Sequence, residues 1–496
     1  MRLSKKNIEF GIILILIIAI LSFLQFTTQN IIGWDGYWHI KSAKLILEHG
    51  FYDTFPWTQY SIIKDNYVDQ QLLFRLLLIP FTTIGMMLGA KLYILLASIA
   101  CFIFFYWLLK RYNTPFAAFW TLLYLLGSNE LLYRFMLPRQ MPLAIIALLL
   151  TCYLLEKKSY NKLFFTVLLF TYLYNGFVFS LIICIIYTFV DLIANKRFNL
   201  TPILYSFPAS LIAFIINPYF PDTFLAFKTQ IWDVNLVGNL YNQEWRPFPI
   251  DMFLYNTFLI LIIFAIIFCI YLFIKSSQLK NTHLNQLIKK NKINIFYMIL
   301  TIFFLLLALK SRRMIEYLYP FMILTSAKIF SYLFENKKNQ KILKIGVIIA
   351  TIVLIPMALL NIREVRSDIL LNNFQDNYRD AALWMKENIP PRSIVFNNAY
   401  TFNYLFFMDS DIYYTHGIDL TYSYLYDKVK FVRYMKILEG EASTEENFVM
   451  QDYNPDYVFI SKLKVDLNFF RYMQERGDDF DVVYQDKHAV ILKVKR

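Results

Sequence analysis

Long apolar runs separated by short polar or basic tracts set the pattern of this chain. Runs near 8–29, 91–109, 115–132, 139–155, 162–175, 177–194, 201–217, 252–274, 294–310, 314–334 and 343–360 each approach the roughly 17–25 residues that a helix needs to cross a bilayer. They predict a polytopic α-helical membrane protein with about eleven spans. A further run, Leu72 to Leu88, holds Arg75 and Pro80, which are costly in lipid without partners. Counting it as a span would put Lys110-Arg111 outside and force 162–194 to cross once, as a helix ~50 Å long. It is therefore read as a helix lying in the membrane interface. Lys110-Arg111, Lys157-Lys158, Lys196-Arg197, the basic loop 275–292 and Lys337-Lys338 then all fall on the cytoplasmic side.

In this arrangement the N-terminus is cytoplasmic and Ile8 to about Phe26 is a retained anchor, too long for a signal-peptide core. The outer face receives a first loop (30–90), a second large loop (218–251), short turns at 133–139, Asn175-Gly176 and Ser311-Arg312-Arg313, and everything after Ile362. Residues 1–362 thus form the membrane domain. From 363 to 496 the pattern becomes polar, with short apolar runs at Ile394-Val395-Phe396, Tyr457 to Ile460, Val482 to Tyr484 and Ala489 to Leu492 that read as strands. Asn377 to Lys386 and Leu425 to Leu438 read as amphipathic helices, so the tail predicts an extracytoplasmic α/β domain. Lys328 stands out as a charge within a span, near enough to its inner end to snorkel.

Composition supports this picture. The chain is 58% hydrophobic and 19% aromatic, more apolar surface than a soluble fold can hide. Its net charge of +13 sits in tracts between spans rather than in a basic stripe interleaved with stacking aromatics, which excludes nucleic acid as a partner. The four cysteines all lie inside apolar runs without metal-ligand spacing and read as packing residues.

The candidate chemistry lies in the outer loops. Asp35, in Gly33-Trp34-Asp35-Gly36-Tyr37-Trp38-His39, precedes an amphipathic stretch ending at Gly50, and Asp69 precedes the run from Leu72. Each acid is thus held ahead of an interfacial helix, a placement that would bring both over a lipid headgroup. One carboxylate would take the proton of an acceptor hydroxyl or amine attacking a sugar's anomeric carbon. The other would orient the acceptor or help hold a divalent cation. Helix capping and first-turn electrostatics are the alternative roles for these acids. His39 lies one turn after Asp35 and would reach it or a substrate. Arg134 and Arg139, and Arg312 and Arg313 followed by Glu316, lie at span mouths. Their forks match phosphate oxygens, or alternatively anchor to anionic headgroups. Glu244-Trp245 offers an acid beside an aromatic, a pairing suited to a sugar.

Taken in order, Trp34 to Ile40, Tyr67 to Phe74, Asn217-Pro218-Tyr219, Glu244-Trp245 and Arg312 to Tyr317 resemble bacterial members of the GT-C glycosyltransferase superfamily. That superfamily includes oligosaccharyltransferase catalytic subunits, protein O-mannosyltransferases and the transferase that adds aminoarabinose to lipid A. The resemblance covers nearly the whole chain. It implies inverting transfer from a polyprenyl-phosphate-linked sugar to a protein, glycan or glycolipid acceptor at the outer face of the cytoplasmic (inner) membrane. By position, Asp35 matches the first-loop acid, Asp69 the acid ahead of the second interfacial helix, and Arg312 or Arg313 the donor-phosphate arginine. The chain departs from the family pattern at Gln71 and near Asn175, where relatives often have His, and lacks an acidic pair in 133–139. The first two departures weaken a His-based mechanism; the third leaves the metal unassigned. The rival readings are a transporter or flippase for a lipid-linked precursor, which would need mid-membrane ionisable groups, and a non-catalytic scaffold.

Overall fold

The computed structural model describes residues 5–233, 244–279, 288–372, 375–417, 419–442, 447–463 and 466–495. Parts of the second large loop (234–243) and of the basic loop (280–287) lie outside the described residues.

The membrane part is a bundle. Its helices are α1 (Lys5–Gln25), α2 (Asp35–His49), α3 (Leu72–Thr82), α4 (Met86–Arg111), α5 (Ala117–Leu126), α6 (Asn129–Arg134), α7 (Met141–Glu156), α8 (Tyr160–Leu173), α9 (Val178–Asn195), α10 (Thr201–Ile215), α11 (Asp222–Lys228), α12 (Ile250–Leu279), α13 (Lys292–Lys310), α14 (Ile315–Phe334) and α15 (Lys337–Leu371). Six described helices are long and apolar enough to cross a membrane, and four shorter apolar ones accompany them. Ile15, Leu204, Phe273 and Ile342 are all more than 60% exposed, a burden that water would not tolerate in such number and that lipid removes. The chain is a multi-pass membrane protein.

Two expected helices are broken. The run 72–88 ends as α3 at Thr82, where the hydroxyls of Thr82 and Thr83 donate to the Ile79 and Pro80 carbonyls. Those carbonyls would otherwise go unmet at the helix end. The chain then turns at Gly85 (φ 100°) straight into α4. The run 115–132 divides at Gly127-Ser128, because Ser128 is extended and its Oγ accepts from Leu131 N–H, capping α6 as a new helix. Lys328 does not snorkel. It is held by Glu156 at 3.2 Å and lies 3.4 Å over the Tyr112 ring, at the end of the bundle opposite to Arg139 and Arg313. α2 forms where the amphipathic pattern places it, and Gly50 stops it with φ 79°, donating its N–H to the Ile46 carbonyl.

The C-terminal region holds α16 (Arg379–Asn388), β1 (Ile394–Phe396), α17 (Ala399–Met408), β2 (Tyr413–Tyr414), α18 (Leu420–Tyr426), α19 (Lys428–Glu439), β3 (Tyr457–Ser461), α20 (Leu467–Gln474), β4 (Phe480–Gln485) and β5 (Ala489–Val494). The expected helix 425–438 is interrupted at Asp427, whose carboxylate caps α19 through the N–H groups of Val429 and Lys430. The five strands form one mixed sheet, ordered β2-β1-β3-β5-β4. The β1 pairings are parallel; β3–β5 and β4–β5 are antiparallel.

This region is sewn to the first loop. Tyr414 N–H donates to Trp57 O at 3.0 Å, Gln59 N–H to Tyr414 O at 2.8 Å and Tyr60 N–H to Thr415 O at 3.1 Å. Tyr37 packs edge-on against Tyr404 and Phe407, and Trp34 against Tyr400. The C-terminal region therefore rests on the helix that begins at Asp35.

Beneath that contact, Asp466 is buried and accepts from Asn398 Nδ2 at 2.7 Å and from the Tyr400 hydroxyl. Burial pushes its pKa up to about 6, against those hydrogen bonds. The folded state thus holds a proton that the unfolded chain has released. The group's contribution is full below the ordinary carboxyl range and lost as pH rises through about 6, on the order of 3 kcal/mol in all. Thermal melting in detergent should fall across about pH 4–7, and Asp466→Asn should flatten that dependence; parallel profiles would remove Asp466 as its source.

Candidate active site

Asp35 is the first helical residue of α2 and the acid of its first turn. The turn before it presses against the segment that enters α7. A Cβ on Gly36 would meet Ile31 Cγ2 at 2.5 Å and Pro138 Cγ at 3.0 Å, so this approach needs glycine. The packing delivers Arg139, whose Nη2 lies 2.7 Å from Asp35 Oδ2. Arg139 Nη1 donates to both Glu244 oxygens, at 3.1 and 3.2 Å. Asp35 itself stays 41% exposed.

The network continues inward. Arg134 is only 3% exposed and pairs with Glu316 at 2.6 Å, Glu130 at 2.9 Å and Glu244 at 3.8 Å. Arg312 takes Glu130 with two nitrogens, Nε lying at 3.1 Å. Backbone bonds from Arg312 N–H to Arg246 O and from Arg313 N–H to Glu244 O bind these two segments together. Burial opposes ionisation of Glu244, but Arg139, Arg134 and Arg313 outweigh it and hold its pKa well below the usual carboxylate range.

Arg313 differs from its neighbours. Among the described residues it forms no ion pair, its buried Nε has no partner, and its guanidinium lies 5.5 Å over Trp245. Three arginines are paired with acids here; the fourth lies outside ion-pair distance of any described acid, its charge opposed by burial and supported at longer range by Tyr174, Glu244 and Glu316.

Asp69 has a second setting. It is 2% exposed, its Oδ2 lies 3.3 Å from Nε of the fully buried Arg75, and its Oδ1 accepts from Gln71 N–H at 2.9 Å. Arg75 also meets His39 Nδ1 and lies 4.1 Å over Trp38. These are the partners that let α3 carry an arginine. Burial, then the charges of Arg75, Arg139 and Arg313, hold His39 well below its ordinary pKa. It is neutral, and since Nδ1 accepts, its proton is on Nε2. The two acids do not converge on one partner. Asp35 pairs with Arg139, Asp69 with Arg75, and α2 joins the two pairs through His39, one turn beyond Asp35. Asp69 and Arg75 also line a cavity of about 430 Å³ between the first loop, the α11 segment and α18.

Glu130, Arg75 and Asp419 escape a reading of the sequence for site residues. Glu130 is concealed inside an apolar run, its one signal being Arg134 four residues on. Asp419 caps α18 through Thr421 N–H at 2.8 Å, and no local pattern marks it. Burial raises its pKa against the hydrogen bonds from Thr421, with Asp35 adding to the rise and Arg313 opposing it. Among the described residues no three His, Cys, Asp or Glu side chains are arranged to hold a metal ion.

No protein-family model and no curated protein matches this sequence. Solved structures match its fold. The archaeal oligosaccharyltransferase AglB from Archaeoglobus fulgidus, in complex with an inhibitory peptide and a dolichol-phosphate, aligns with TM-score 0.64 at 12% identity, over 92% of this chain and 70% of its own. ArnT from Cupriavidus metallidurans, bound to undecaprenyl phosphate, aligns with TM-score 0.57 at 11% identity, over 99% of this chain and 98% of its own. Both are GT-C glycosyltransferases, and the fold of this chain is theirs.

Proposed function

We propose that this protein transfers a sugar or oligosaccharide from a polyprenyl-phosphate-linked donor to a protein, glycan or glycolipid acceptor, at the outer face of the cytoplasmic membrane. The observation that carries this reading is the arginine–carboxylate network around Asp35, Arg139 and Glu244, in which Arg313 is an arginine that forms no ion pair among the described residues. The shared fold supports it: one neighbour holds a dolichol-phosphate and another undecaprenyl phosphate.

In this reading the acceptor's oxygen or nitrogen attacks the anomeric carbon and Asp35 takes its proton. The bond from that carbon to the phosphate oxygen breaks, and its electron pair leaves with the phosphate. Arg313, with Arg312 beside it, meets the charge that develops there. Arg139 and Glu244 hold the Asp35 carboxylate in place, so Arg139 is a positioning residue rather than a phosphate ligand. Glu316 fixes Arg134, Trp245 flanks Arg313, and His39 and Asp69 hold Arg75 in place. A divalent cation has no assigned ligand set. The region 363–496 lies outside the membrane and carries Asp419 to the site.

Arg313→Gln tests the assignment. A charge-assisted hydrogen bond is worth about 1.5–3 kcal/mol, so KM for the donor should rise roughly 10–100-fold. Arg312→Gln, which removes a residue already paired with Glu130, should raise it less. Donor dependence unchanged in Arg313→Gln would end its proposed role.

A further inference from the structure

The phosphate step leaves the cavity beside Asp69 without a task. Its volume of about 430 Å³ is in the range of small-molecule sites. Five side-chain atoms on its wall are buried and have no hydrogen-bond partner: Trp38 Nε1, Gln71 Oε1, Arg75 Nη2, and Asp69 Oδ2 and Arg75 Nε, which face each other at 3.3 Å. Such groups call for a ligand that both donates and accepts, as a ring of hydroxyls does. Tyr422, whose hydroxyl donates to Gln230 Oε1 at 3.1 Å, supplies an aromatic side chain on the opposite wall.

The charge on the wall selects further. Its one cation, Arg75, is already engaged by Asp69 and His39. Asp222 and Asp233 also line the cavity, and neither forms an ion pair among the described residues. The wall itself thus carries three carboxylates, Asp69, Asp222 and Asp233, against one guanidinium, a balance that disfavours an anionic ligand.

We propose that this cavity binds an uncharged or amine-bearing saccharide unit and rejects acidic sugars. The inference rests on the sugar-transfer reading, and the saccharide belongs either to the donor or to a glycan acceptor. Hydroxyls of the ring occupy Gln71, Trp38 and the Asp69–Arg75 pair, and the carboxylates of Asp222 and Asp233 accept from the outer hydroxyls or an amine.

The test uses the full-length protein in lipid nanodiscs and saturation-transfer NMR with N,N′-diacetylchitobiose, glucosamine, galacturonic acid and an asparagine-containing peptide. Saturation should reach the first two and not galacturonic acid, and Gln71→Leu should weaken the signal at least about 10-fold. Replacing both Asp222→Lys and Asp233→Lys should turn the preference toward galacturonic acid, which misfolding cannot do. Equal binding of galacturonic acid by the natural protein, binding of the peptide alone, or no sugar signal would overturn the proposal. A short-chain polyprenyl-phosphate-linked N-acetylglucosamine then identifies the source. If it displaces the chitobiose, the cavity holds the donor's sugar; if both bind together, it holds the acceptor's. Native mass spectrometry with undecaprenyl phosphate separates the two readings. Lipid-phosphate binding that depends on Arg313, with an empty cavity, defeats only this inference; absence of lipid-phosphate binding defeats the transfer reading as well.

Discussion

Asp35→Asn should lower sugar transfer by roughly 10²–10⁴-fold, the range that a positioned general base supplies, with the amount of protein in the membrane unchanged. The substitution is nearly isosteric, and its amide oxygen can still accept from Arg139 Nη2, which lies 2.7 Å from Oδ2 in the native side chain. Arg139 also keeps both oxygens of Glu244, so the local network survives. What disappears is the capacity to take a proton. Mass spectrometry of polyprenyl-linked sugars in cells provides the readout. One lipid-linked species should accumulate in the variant and so name the donor. An unchanged profile would remove Asp35 as base and favour transport of a lipid-linked precursor. Asp69→Asn should have a smaller effect on the chemical step, because Asp69 is 2% exposed and paired with the fully buried Arg75, where it holds a partner, while Asp35 is 41% exposed.

The difference between these two acids also marks how far the sequence could be read. The apolar helices around Ile15 and Phe273 were legible because long uninterrupted apolar runs expose large apolar side chains there; six described helices are long and apolar enough to cross a membrane, against the eleven spans expected. The α2 helix and β1, β3, β4 and β5 were legible because each shows a periodic or β-branched pattern bounded by turn residues. The helix Ala399–Met408 was not, since it is buried on nearly all sides and shows no polar face to set a period. The break at Ser128 depends on one hydroxyl capping one N–H, a local event that an apolar run conceals. Pairings between distant segments were out of reach. Arg75 looks costly until Asp69, His39 and Trp38 surround it, and Lys328 looks free to snorkel until Glu156 meets it from α7. Sidedness could bring Arg139, Glu244 and Arg312 to one face of the membrane; only packing could decide that the first is occupied by Asp35 and the last by Glu130.

That packing makes Arg134 the residue whose loss should be felt most widely. Arg134→Met should destabilise the protein by about 3–5 kcal/mol, the cost of removing one partner from a buried ionic cluster. The effect should be uneven across its three acids. Glu130 retains Arg312, and Glu244 retains Arg139. Glu316 is buried, and Arg134 is its one ion-pair partner among the described residues, so its carboxylate would be left uncompensated at the start of α14. Much of the loss should therefore be recovered in the double variant Arg134→Met with Glu316→Leu, which removes the stranded charge instead of restoring the pair. Thermal unfolding in detergent measures both. A single variant that melts like the natural protein would mean that backbone bonds alone hold Arg313 against Glu244. A double variant no better than the single would mean that Arg134 acts mainly through Glu130 and Glu244. Recovery of stability without recovery of donor binding would identify the ion pair as the element that aims the Arg312–Arg313 turn at the phosphate, since a merely structural role would return both together.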